Sequence, residues 1–444
     1  MIPRIVCHSL LLSLALFSLG ILAFSSVVYS ADPSMAVSIG QPEQSVEGEE
    51  PFQVYLPGVM HQTWSAPTIP SDPAPSLDAT DQPATLMLSW QGGDLDNDAV
   101  TYAIAFGTSN PPPLAATEQT ATTYFPGILN TETTYYWQIT ASDKDGLNTV
   151  GPVWHFTTGT KSAKFSCSSV SQIPKVECEA LVALYVSTNG PDWTYNRRWL
   201  RSSRPCDWYG VECGPGGVQG LYLDANDLTG SIPSQLGNLA SLMYLDLGWN
   251  QLTGSIPPQL GNLANLRLLN LAWNLLAGSI PPQLGNLASL EILHLDANGL
   301  TGSIPPELGS FAYLWSLQLA GNLLSGSIPP ELGNLPLLST LDLSYNRLSG
   351  SIPPELFNTD PLYLHLNNNQ LTGAIPLELG NLSSLNYLYL NDNQLNGPLP
   401  FNFTSLWLDA FYFGNTQVCV PNTAAFQNWL ASIKNLQSSG LTCP

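Results

Sequence analysis

Apolar residues recur with one long period over the second half of this 444-residue chain. Stretches such as LMYLDLGWNQLTGSIPPQLGNLA and LRLLNLAWNLLAGSIPPQLGNLA align leucine with leucine, and each contains one asparagine just after its first apolar segment. These asparagines, spaced by 24 residues six times and by 23 once, are Asn226, Asn250, Asn274, Asn298, Asn322, Asn346, Asn369 and Asn393. A unit of this length cannot bury its apolar side alone and must stack on its neighbours, so the period predicts a solenoid.

Each recurring position has a structural explanation. Leu245 and Leu247 are expected to point inward from a short strand, and the amide of Asn250 to satisfy backbone groups of the adjoining coil. Gly254 permits a turn that other residues resist, and the Ile-Pro pair that follows stiffens the return. We therefore expect the recurring residues to build the core, and a ligand to meet the positions that vary between repeats.

Strict alternation of apolar and polar residues marks four segments upstream, at 86–90, 100–106, 134–140 and 153–158. Alternation with period two is typical of half-buried strands. Clusters of Gly and Asp separate the segments, so residues 81–160 are predicted to form an all-β domain. Trp90 and Trp137 fall within these strands and are expected in the core of this domain.

The first 80 residues lack both patterns. Arg4 precedes an apolar run over 5–28 that ends in small residues, which predicts a secretory signal peptide over 1–30, with an uncleaved membrane anchor as the alternative. Residues 31–80 are rich in proline and contain an acidic run, so they are predicted to be an extended linker. Within the linker, the apolar stretch 52–59 (FQVYLPGV) is a candidate for a short strand.

Composition narrows the function. The chain has 33 acidic and 12 basic residues, a net charge of −21, which argues against a partner made of nucleic acid because phosphate would be repelled. Six cysteines follow the predicted signal peptide and fall in three close pairs, which in an exported chain indicates disulfides. Among the alternative connectivities, local pairing is favoured because each pair closes a short loop at a domain end: Cys167–Cys178, Cys206–Cys213 and Cys419–Cys443.

The repeated phrase LTGSIPPxLGNL resembles the plant-specific class of leucine-rich repeats, found in plant receptor kinases and polygalacturonase-inhibiting proteins. The resemblance covers about 168–444 and implies a right-handed horseshoe with a parallel sheet on its concave face. It implies a helical N-terminal cap over 165–217, repeats over 218–416, eight clear and one degenerate, and a helical C-terminal cap over 417–444. The residues that match the N-terminal cap are Trp193, Trp199, Cys206, Trp208, Gly210, Val211 and Cys213.

The run LNTETTYYW resembles the segment that carries the tyrosine corner of fibronectin type III domains. Leu129, Thr133 and Tyr135 fall on its positions, and Thr131 stands where that family usually has proline. The resemblance covers 83–159 and implies an immunoglobulin-like sandwich. The predicted fold is therefore mixed, with an all-β sandwich in front of a leucine-rich repeat solenoid. This combination is foreign to plant receptors, which predicts a bacterial exported protein.

Aspartates alternate on two loops of the β domain, which the fibronectin resemblance places at the same end. Carboxylate oxygens converging from two loops suit calcium, a hard cation, although aspartate is also a good turn residue. The candidate calcium ligands are Asp94, Asp96, Asp98, Asp143 and Asp145. No other cofactor is predicted.

The positions expected to line the concave face lie six, four, two and one residues before each asparagine. This face should be polar, yet it contains Trp and Tyr beside several Asp, a mixture that suits sugar rings, protein hot spots and basic peptides. Trp249 and Trp273 hold one position in adjacent repeats and are predicted to form an aromatic platform. The candidate ligand-binding residues are Tyr222, Asp224, Tyr244, Asp246, Trp249, Trp273, His294, Asp296, Trp315, Gln318, Asp342, Tyr345, Tyr363, His365, Tyr387, Tyr389 and Asp392.

No nucleophile with an adjacent base and no phosphate loop is found, so no catalytic residue is predicted and the chain is not expected to be an enzyme. We predict a secreted or cell-surface recognition module that binds a protein, a peptide or a polysaccharide on the concave face. The alternatives are an inhibitor of a secreted polysaccharide-degrading enzyme, by resemblance to the polygalacturonase inhibitors, and a hydrolase with an unrecognised site. No second apolar run reaches the roughly 18 residues of a membrane span, so none is predicted in the mature chain.

Overall fold

The computed structural model describes residues 65–95, 98–160 and 165–444. The predicted signal peptide, most of the predicted linker with its apolar stretch 52–59, and Asp96 lie outside these residues. All the described residues belong to one compact unit. Among the described residues, no helix is both long and apolar enough to cross a membrane.

Two sheets occupy the first part of the described chain. Their strands are β1 (Ser71–Ala74), β2 (Ala79–Gln82), β3 (Leu88–Gln91), β4 (Thr101–Gly107), β5 (Leu114–Gln119), β6 (Thr123–Tyr124), β7 (Thr134–Ser142), β8 (Asn148–Val150) and β9 (Trp154–Thr158). One sheet has the order β1-β3-β6, and the other has the order β2-β9-β7-β4-β5 with β8 beside β7. Both sheets contribute to one core, which explains the alternation in the sequence; it contains Leu88, Trp90, Ile104, Trp137, Ile139 and Phe156.

Strand β1 and the first two residues of β2 fall within the predicted linker, so strand structure begins before residue 81. Both are edge strands, where a proline such as Pro73 in β1 is tolerated. The phenolic oxygen of Tyr135 accepts a hydrogen bond from the backbone N–H of Asn130 at 3.0 Å, the contact that a tyrosine corner makes. Membership of the fibronectin type III family stays a prediction.

The repeats form one long sheet and three shorter ones. The eleven strands of the main sheet lie in chain order and are parallel except for the first pair; they are β10 (Val211–Gly214), β11 (Gly217–Tyr222), β13 (Tyr244–Asp246), β15 (Leu268–Asn270), β17 (Ile292–His294), β19 (Ser316–Gln318), β21 (Thr340–Asp342), β23 (Tyr363–His365), β25 (Tyr387–Tyr389), β27 (Ala410–Tyr412) and β29 (Asn435–Gln437). The shorter sheets contain β12 (Thr229–Ser231), β14 (Gln251–Thr253), β16 (Ala277–Ser279), β18 (Gly299–Thr301), β20 (Ser325–Gly326), β22 (Arg347–Ser351), β24 (Gln370–Gly373), β26 (Gln394–Pro398) and β28 (Gln417–Cys419).

Short 3-10 helices return the chain from each coil to the next; they are Ser234–Asn238, Pro258–Asn262, Pro282–Asn286, Pro306–Ser310, Pro330–Asn334, Pro354–Asn358, Leu377–Asn381 and Phe401–Ser405. Proline fills the first helical position in five of these eight, where its missing N–H costs nothing. Leucine, isoleucine and phenylalanine side chains from every coil join one continuous core. Because each repeat contacts mainly its neighbours, the period in the sequence fixes this architecture.

Two α-helices lie at the ends of the repeats. The helix α1 (Lys175–Ser187) follows the 3-10 turn Cys167–Ser169, and two more turns, Gly190–Asp192 and Pro205–Asp207, precede the main sheet. The buried carboxylate of Glu177 in α1 accepts a hydrogen bond from the backbone N–H of Val218 at 2.8 Å, which ties the helix to β11. The helix α2 (Ala424–Ser432) follows the last repeat and buries Phe426 and Trp429 in the continuous core.

The three disulfides predicted from the sequence are confirmed. They join Cys167 to Cys178, Cys206 to Cys213 and Cys419 to Cys443, with Cα–Cα distances of 5.7, 5.5 and 5.0 Å. All three lie outside the stretch of clear repeats. That these ends are caps of the plant-specific class stays a prediction.

We expect the substitution of both Cys419 and Cys443 by serine to lower the free energy of unfolding by about 3 kcal/mol, because the bridge closes a loop of 24 residues. The loss should concentrate at the end of the chain, where α2 packs. Hydrogen exchange measured by mass spectrometry checks this. Faster exchange in α2 with unchanged exchange in β13 is expected, and uniform acceleration along all repeats would contradict it.

The β region packs on the side of the first coils. The side chain of Phe125 is buried and joins the core of the repeats. Nε2 of Gln235 donates a hydrogen bond to the backbone carbonyl oxygen of Phe125 at 2.8 Å. Two pairs of hydroxyl groups meet nearby, Thr123 with Ser231 at 3.2 Å and Thr120 with Ser255 at 2.6 Å. The two parts of the described chain are thus joined by apolar and polar contacts together.

Candidate functional site

The outward side chains of the main sheet form one surface, called here the repeat face. In a strand such as β13 the central leucine is buried, while Tyr244 and Asp246 on either side are half-buried and point away from the core. Equivalent positions of adjacent strands pair in register, so that Asp246 lies beside Asn270 and Asn270 beside His294. Each variable position therefore becomes a column of side chains that crosses the coils.

The structure places sixteen of the seventeen candidate residues in these columns. Six residues before the asparagine lie Tyr244, Tyr363 and Tyr387; four before it lie Tyr222, Asp246, His294, Gln318, Asp342, His365 and Tyr389; two before it lie Asp224 and Asp296; one before it lie Trp249, Trp273, Tyr345 and Asp392. Trp315 is the exception, since it lies seven residues before Asn322 and outside the four columns. It is 37% exposed near Tyr313, at the entry of its strand.

Two stacked indole rings stand out on the repeat face. Trp249 and Trp273 lie with their ring centroids 4.4 Å apart and their planes within 5°, as the sequence predicts for a platform. Both adopt left-handed backbone, each with φ of 57°, and Trp249 is 40% exposed. A bulky residue in this conformation is uncommon and costs about 1–2 kcal/mol. Strain retained at an exposed aromatic pair points to a role other than stability.

A second aromatic group lies toward the C-terminal end of the same face. Tyr363 stacks on Tyr387 at 4.7 Å, His365 stacks on Tyr389 at 4.3 Å, and Tyr389 stacks on Tyr412 at 4.7 Å. Tyr412 is not among the predicted residues, because the columns are counted from asparagines and the last repeat has Thr416 in that place. The register of β27 against β25 was the signal that would have found it.

Two half-buried carboxylates lie on the repeat face, one in the coil of Trp249 and one in the coil that follows Trp273. Asp246 accepts hydrogen bonds from the backbone N–H of Gly248 and from Nδ2 of Asn270, yet burial and the nearby Asp224 raise its pKa to about 6. Burial raises the pKa of Asp296 to about 7, although the interaction with the indole N–H of Trp273 acts to lower that pKa. Both groups are thus poised to change charge near neutral pH.

The two histidines of the face behave differently. Burial lowers the pKa of His294 to about 4, and its Nε2 lies 3.0 Å from the hydroxyl of Ser316. Nδ1 of His365 lies 3.3 Å from Oδ2 of Asp342. Burial acts to raise the pKa of Asp342, but hydrogen bonds from His365 and Ser344 outweigh it and hold that pKa below its ordinary value. Near neutral pH, His294 is therefore uncharged and Asp342 is charged.

The predicted calcium ligands show a different arrangement. The ammonium group of Lys144 lies 2.8 Å from Oδ1 of Asp98 and 3.6 Å from Oδ2 of Asp145, so a cationic side chain bridges the two loops. Asp143 accepts hydrogen bonds from the backbone N–H groups of Asp145 and Leu147, which is turn chemistry. Within the described residues, which omit Asp96, no three acidic, histidine or cysteine side chains are grouped to hold a metal ion. Calcium binding stays a prediction.

Replacing Asp296 by asparagine should change the pH dependence of stability. Since its pKa is raised from 3.8 to about 7, the folded state holds the proton more tightly, and this contribution to stability is lost as pH rises through about 7. His294, with its lowered pKa, acts in the opposite direction, so the wild type alone hides the effect. We expect the unfolding free energy of Asp296→Asn, relative to wild type, to increase steadily from pH 4 to pH 8 in urea titrations. A constant difference would contradict the raised pKa.

The repeats match known family models. One leucine-rich repeat model matches residues 217–276, and a second matches 289–311, 313–335, 337–359, 362–382 and 384–406. This part of the chain is therefore built of leucine-rich repeats, as its period predicts. The β region lies outside these matches.

Three solved structures are similar to the chain. The leucine-rich repeat ectodomain of the plant membrane receptor kinase GASSHO1/SCHENGEN3 from Arabidopsis thaliana, in complex with CASPARIAN STRIP INTEGRITY FACTOR 2, is 38% identical over 51% of this chain and 30% of that one, with a TM-score of 0.46. The PEPR1-AtPEP1 structure is 31% identical over 57% of this chain and 36% of that one, with a TM-score of 0.53. A plant ice-binding protein is 27% identical over 61% of this chain and 98% of that one, with a TM-score of 0.50. The chain spans about a third of the length of the first two.

Proposed function

We propose that this chain is an extracellular recognition module without catalytic activity that binds a peptide, or an extended segment of a protein, on the repeat face. The observation that carries the proposal is the stacked, left-handed pair Trp249 and Trp273. Folding alone favours Gly, Asn or Asp at such a position. Later coils have Gly321, Asn368 and Asp392 there, beside Ala297 and Tyr345. Two bulky indoles in their place supply the kind of anchor on which protein hot spots rely.

The shape of the repeat face suits an extended ligand. The two aromatic groups lie at different coils of one sheet, with adjacent strands about 4.8 Å apart. A peptide laid across the coils would meet the Trp pair together with the half-buried carboxylates Asp246 and Asp296, and then the Tyr and His stack. The PEPR1-AtPEP1 structure, similar over 57% of this chain, is compatible with this reading. A polysaccharide ligand gains no support from these structures, and enzyme inhibition stays an alternative.

Selection of displayed random peptides on the immobilised full chain tests the proposal. Gln318→Arg places a long charged side chain in the middle of the repeat face, whereas Ser327→Arg makes the same charge change at an exposed position off that face. We expect selected peptides to bind the wild type and Ser327→Arg equally and to lose at least tenfold in affinity for Gln318→Arg. Peptides that ignore Gln318→Arg, or a selection that enriches nothing, would overturn the proposal.

A second candidate, ice binding, is favoured by a different surface. Serines at one position of successive coils leave their hydroxyls exposed at a regular spacing of about 4.8 Å, set by the stacking of strands; they are Ser279, Ser303, Ser327 and Ser351. The similar plant ice-binding protein is covered over 98% of its length. Inhibition of ice recrystallisation by the wild type that is lost in Ser327→Arg but kept in Gln318→Arg would favour this candidate over peptide recognition.

A further inference from the structure

One carboxylate oxygen on the repeat face has no partner in the fold. Oδ1 of Asp296 is buried and makes no hydrogen bond among the described residues. The other interactions of this carboxyl group are with the indole N–H of Trp273 and its own backbone N–H. A buried polar atom without a hydrogen bond costs about 1–3 kcal/mol, so this oxygen lowers the stability of the folded state.

Small residues flank this carboxylate along its column. The preceding coil has Ala272 and the following coil has Ala320. The Trp249–Trp273 stack occupies the neighbouring column, in which the coils after Trp273 have Ala297 and Gly321. A carboxylate acceptor is thus set beside a flat aromatic surface, with no large side chain of its own column next to it.

The repeat face itself supplies no cation to this group. None of the four columns contains Lys or Arg in any of the eight clear repeats, whereas they contain Asp224, Asp246, Asp296, Asp342 and Asp392. His365 is engaged with Asp342, and His294 is uncharged near neutral pH because burial lowers its pKa. Within these four columns of the described repeats, Asp296 therefore has no positive partner.

We propose that the space beside Trp273 and Asp296 is a subsite for the guanidinium group of one arginine side chain of the bound peptide, an inference that rests on the proposed function. A guanidinium group stacks flat on an indole ring and donates hydrogen bonds in its own plane, so one group meets both the platform and the carboxylate. An ammonium group would satisfy the carboxylate but lacks the flat surface. The subsite therefore selects arginine over lysine.

Two sets of probes test the subsite on the full chain. The first is a selected arginine-containing peptide compared with the same peptide in which citrulline, a neutral isostere, replaces arginine; calorimetry measures both. The second is N-acetyl-arginine amide against N-acetyl-citrulline amide, observed by saturation-transfer NMR. Asp296→Asn removes the acceptor charge, and Asp227→Asn makes the same change at an exposed position outside the four columns.

We expect citrulline to lower the affinity of the peptide at least tenfold for the wild type and less than threefold for Asp296→Asn, with Asp227→Asn behaving like the wild type. Peptides that bind the repeat face without any preference for arginine over citrulline would overturn the subsite and leave the proposed function standing. If no peptide is selected but the arginine amide still binds the wild type and not Asp296→Asn, the subsite stands and peptide recognition fails. Equal effects of Asp227→Asn and Asp296→Asn would show general attraction by an acidic surface instead of a specific subsite, which also overturns the proposal.

Discussion

Asn250→Leu should destabilise the repeats by about 4 kcal/mol or more, the largest effect we expect from one substitution. Oδ1 of this buried side chain accepts hydrogen bonds from the backbone N–H groups of Asn226 and Leu228, both at 3.0 Å. Its Nδ2 donates to the carbonyl oxygens of Leu223, Leu247 and Gly248 at 2.9, 3.0 and 3.1 Å. Leucine has a similar size but leaves the N–H groups of Asn226 and Leu228 and the carbonyl of Leu223 without a partner, at about 1–3 kcal/mol for each that water cannot reach. The carbonyls of Leu247 and Gly248 keep other donors.

Chemical denaturation measures this loss, and Asn396→Leu is the matched control. Asn396 lies in β26 and is exposed, so the same exchange should change the unfolding free energy by no more than about 0.5 kcal/mol. Hydrogen exchange should quicken first in the coils on either side of Asn250. Similar losses of stability for both variants would mean that the repeats tolerate unsatisfied backbone groups. The hydrogen bonds of the recurring asparagines would then not be what joins the coils.

The double variant Trp249→Asn with Trp273→Asn should lose at least about 100-fold in affinity for a selected peptide while keeping its stability within about 1 kcal/mol of wild type. Each indole acts as a hot-spot anchor, for which truncation costs about 2 kcal/mol or more. Stability is preserved because asparagine tolerates left-handed backbone. The backbone strain removed, about 1–2 kcal/mol per residue, offsets the stacking energy lost, about 0.5–1.5 kcal/mol.

Trp407→Asn is the control for this pair, since Trp407 is 90% exposed and lies outside the columns of the repeat face. It should leave both affinity and stability unchanged. Thermal melting and calorimetry on the same preparations separate the two properties. A double variant that melts early but binds normally per folded molecule would show that the indole pair is structural and that the ligand meets another surface.

Most of the repeat architecture follows from the sequence, because a solenoid is nearly one-dimensional. The period of 24 residues sets which leucine meets which, and Asn274 illustrates the result: its Oδ1 accepts from the N–H of Leu252 and its Nδ2 donates to the carbonyl of Leu247. The three disulfides were predictable for the same reason, since each joins cysteines close in sequence. The columns of the repeat face also follow from the spacing, apart from Trp315 and Tyr412, where counting from asparagines failed.

The tertiary structure determined how the side chains of these columns stack, how deeply they are buried and which of them carry charge. The sequence places Trp249 above Trp273, but only the fold sets both in left-handed backbone and stacks them at 4.4 Å. Burial of Asp296 depends on neighbours from several coils, so neither its raised pKa nor its unpartnered oxygen can be inferred from one repeat. The docking of Phe125 on the first coils joins segments more than 100 residues apart, such as Phe125 and Gln235. Local periodicity determines contacts between adjacent coils, whereas the burial, charge and packing of a surface depend on everything that surrounds it.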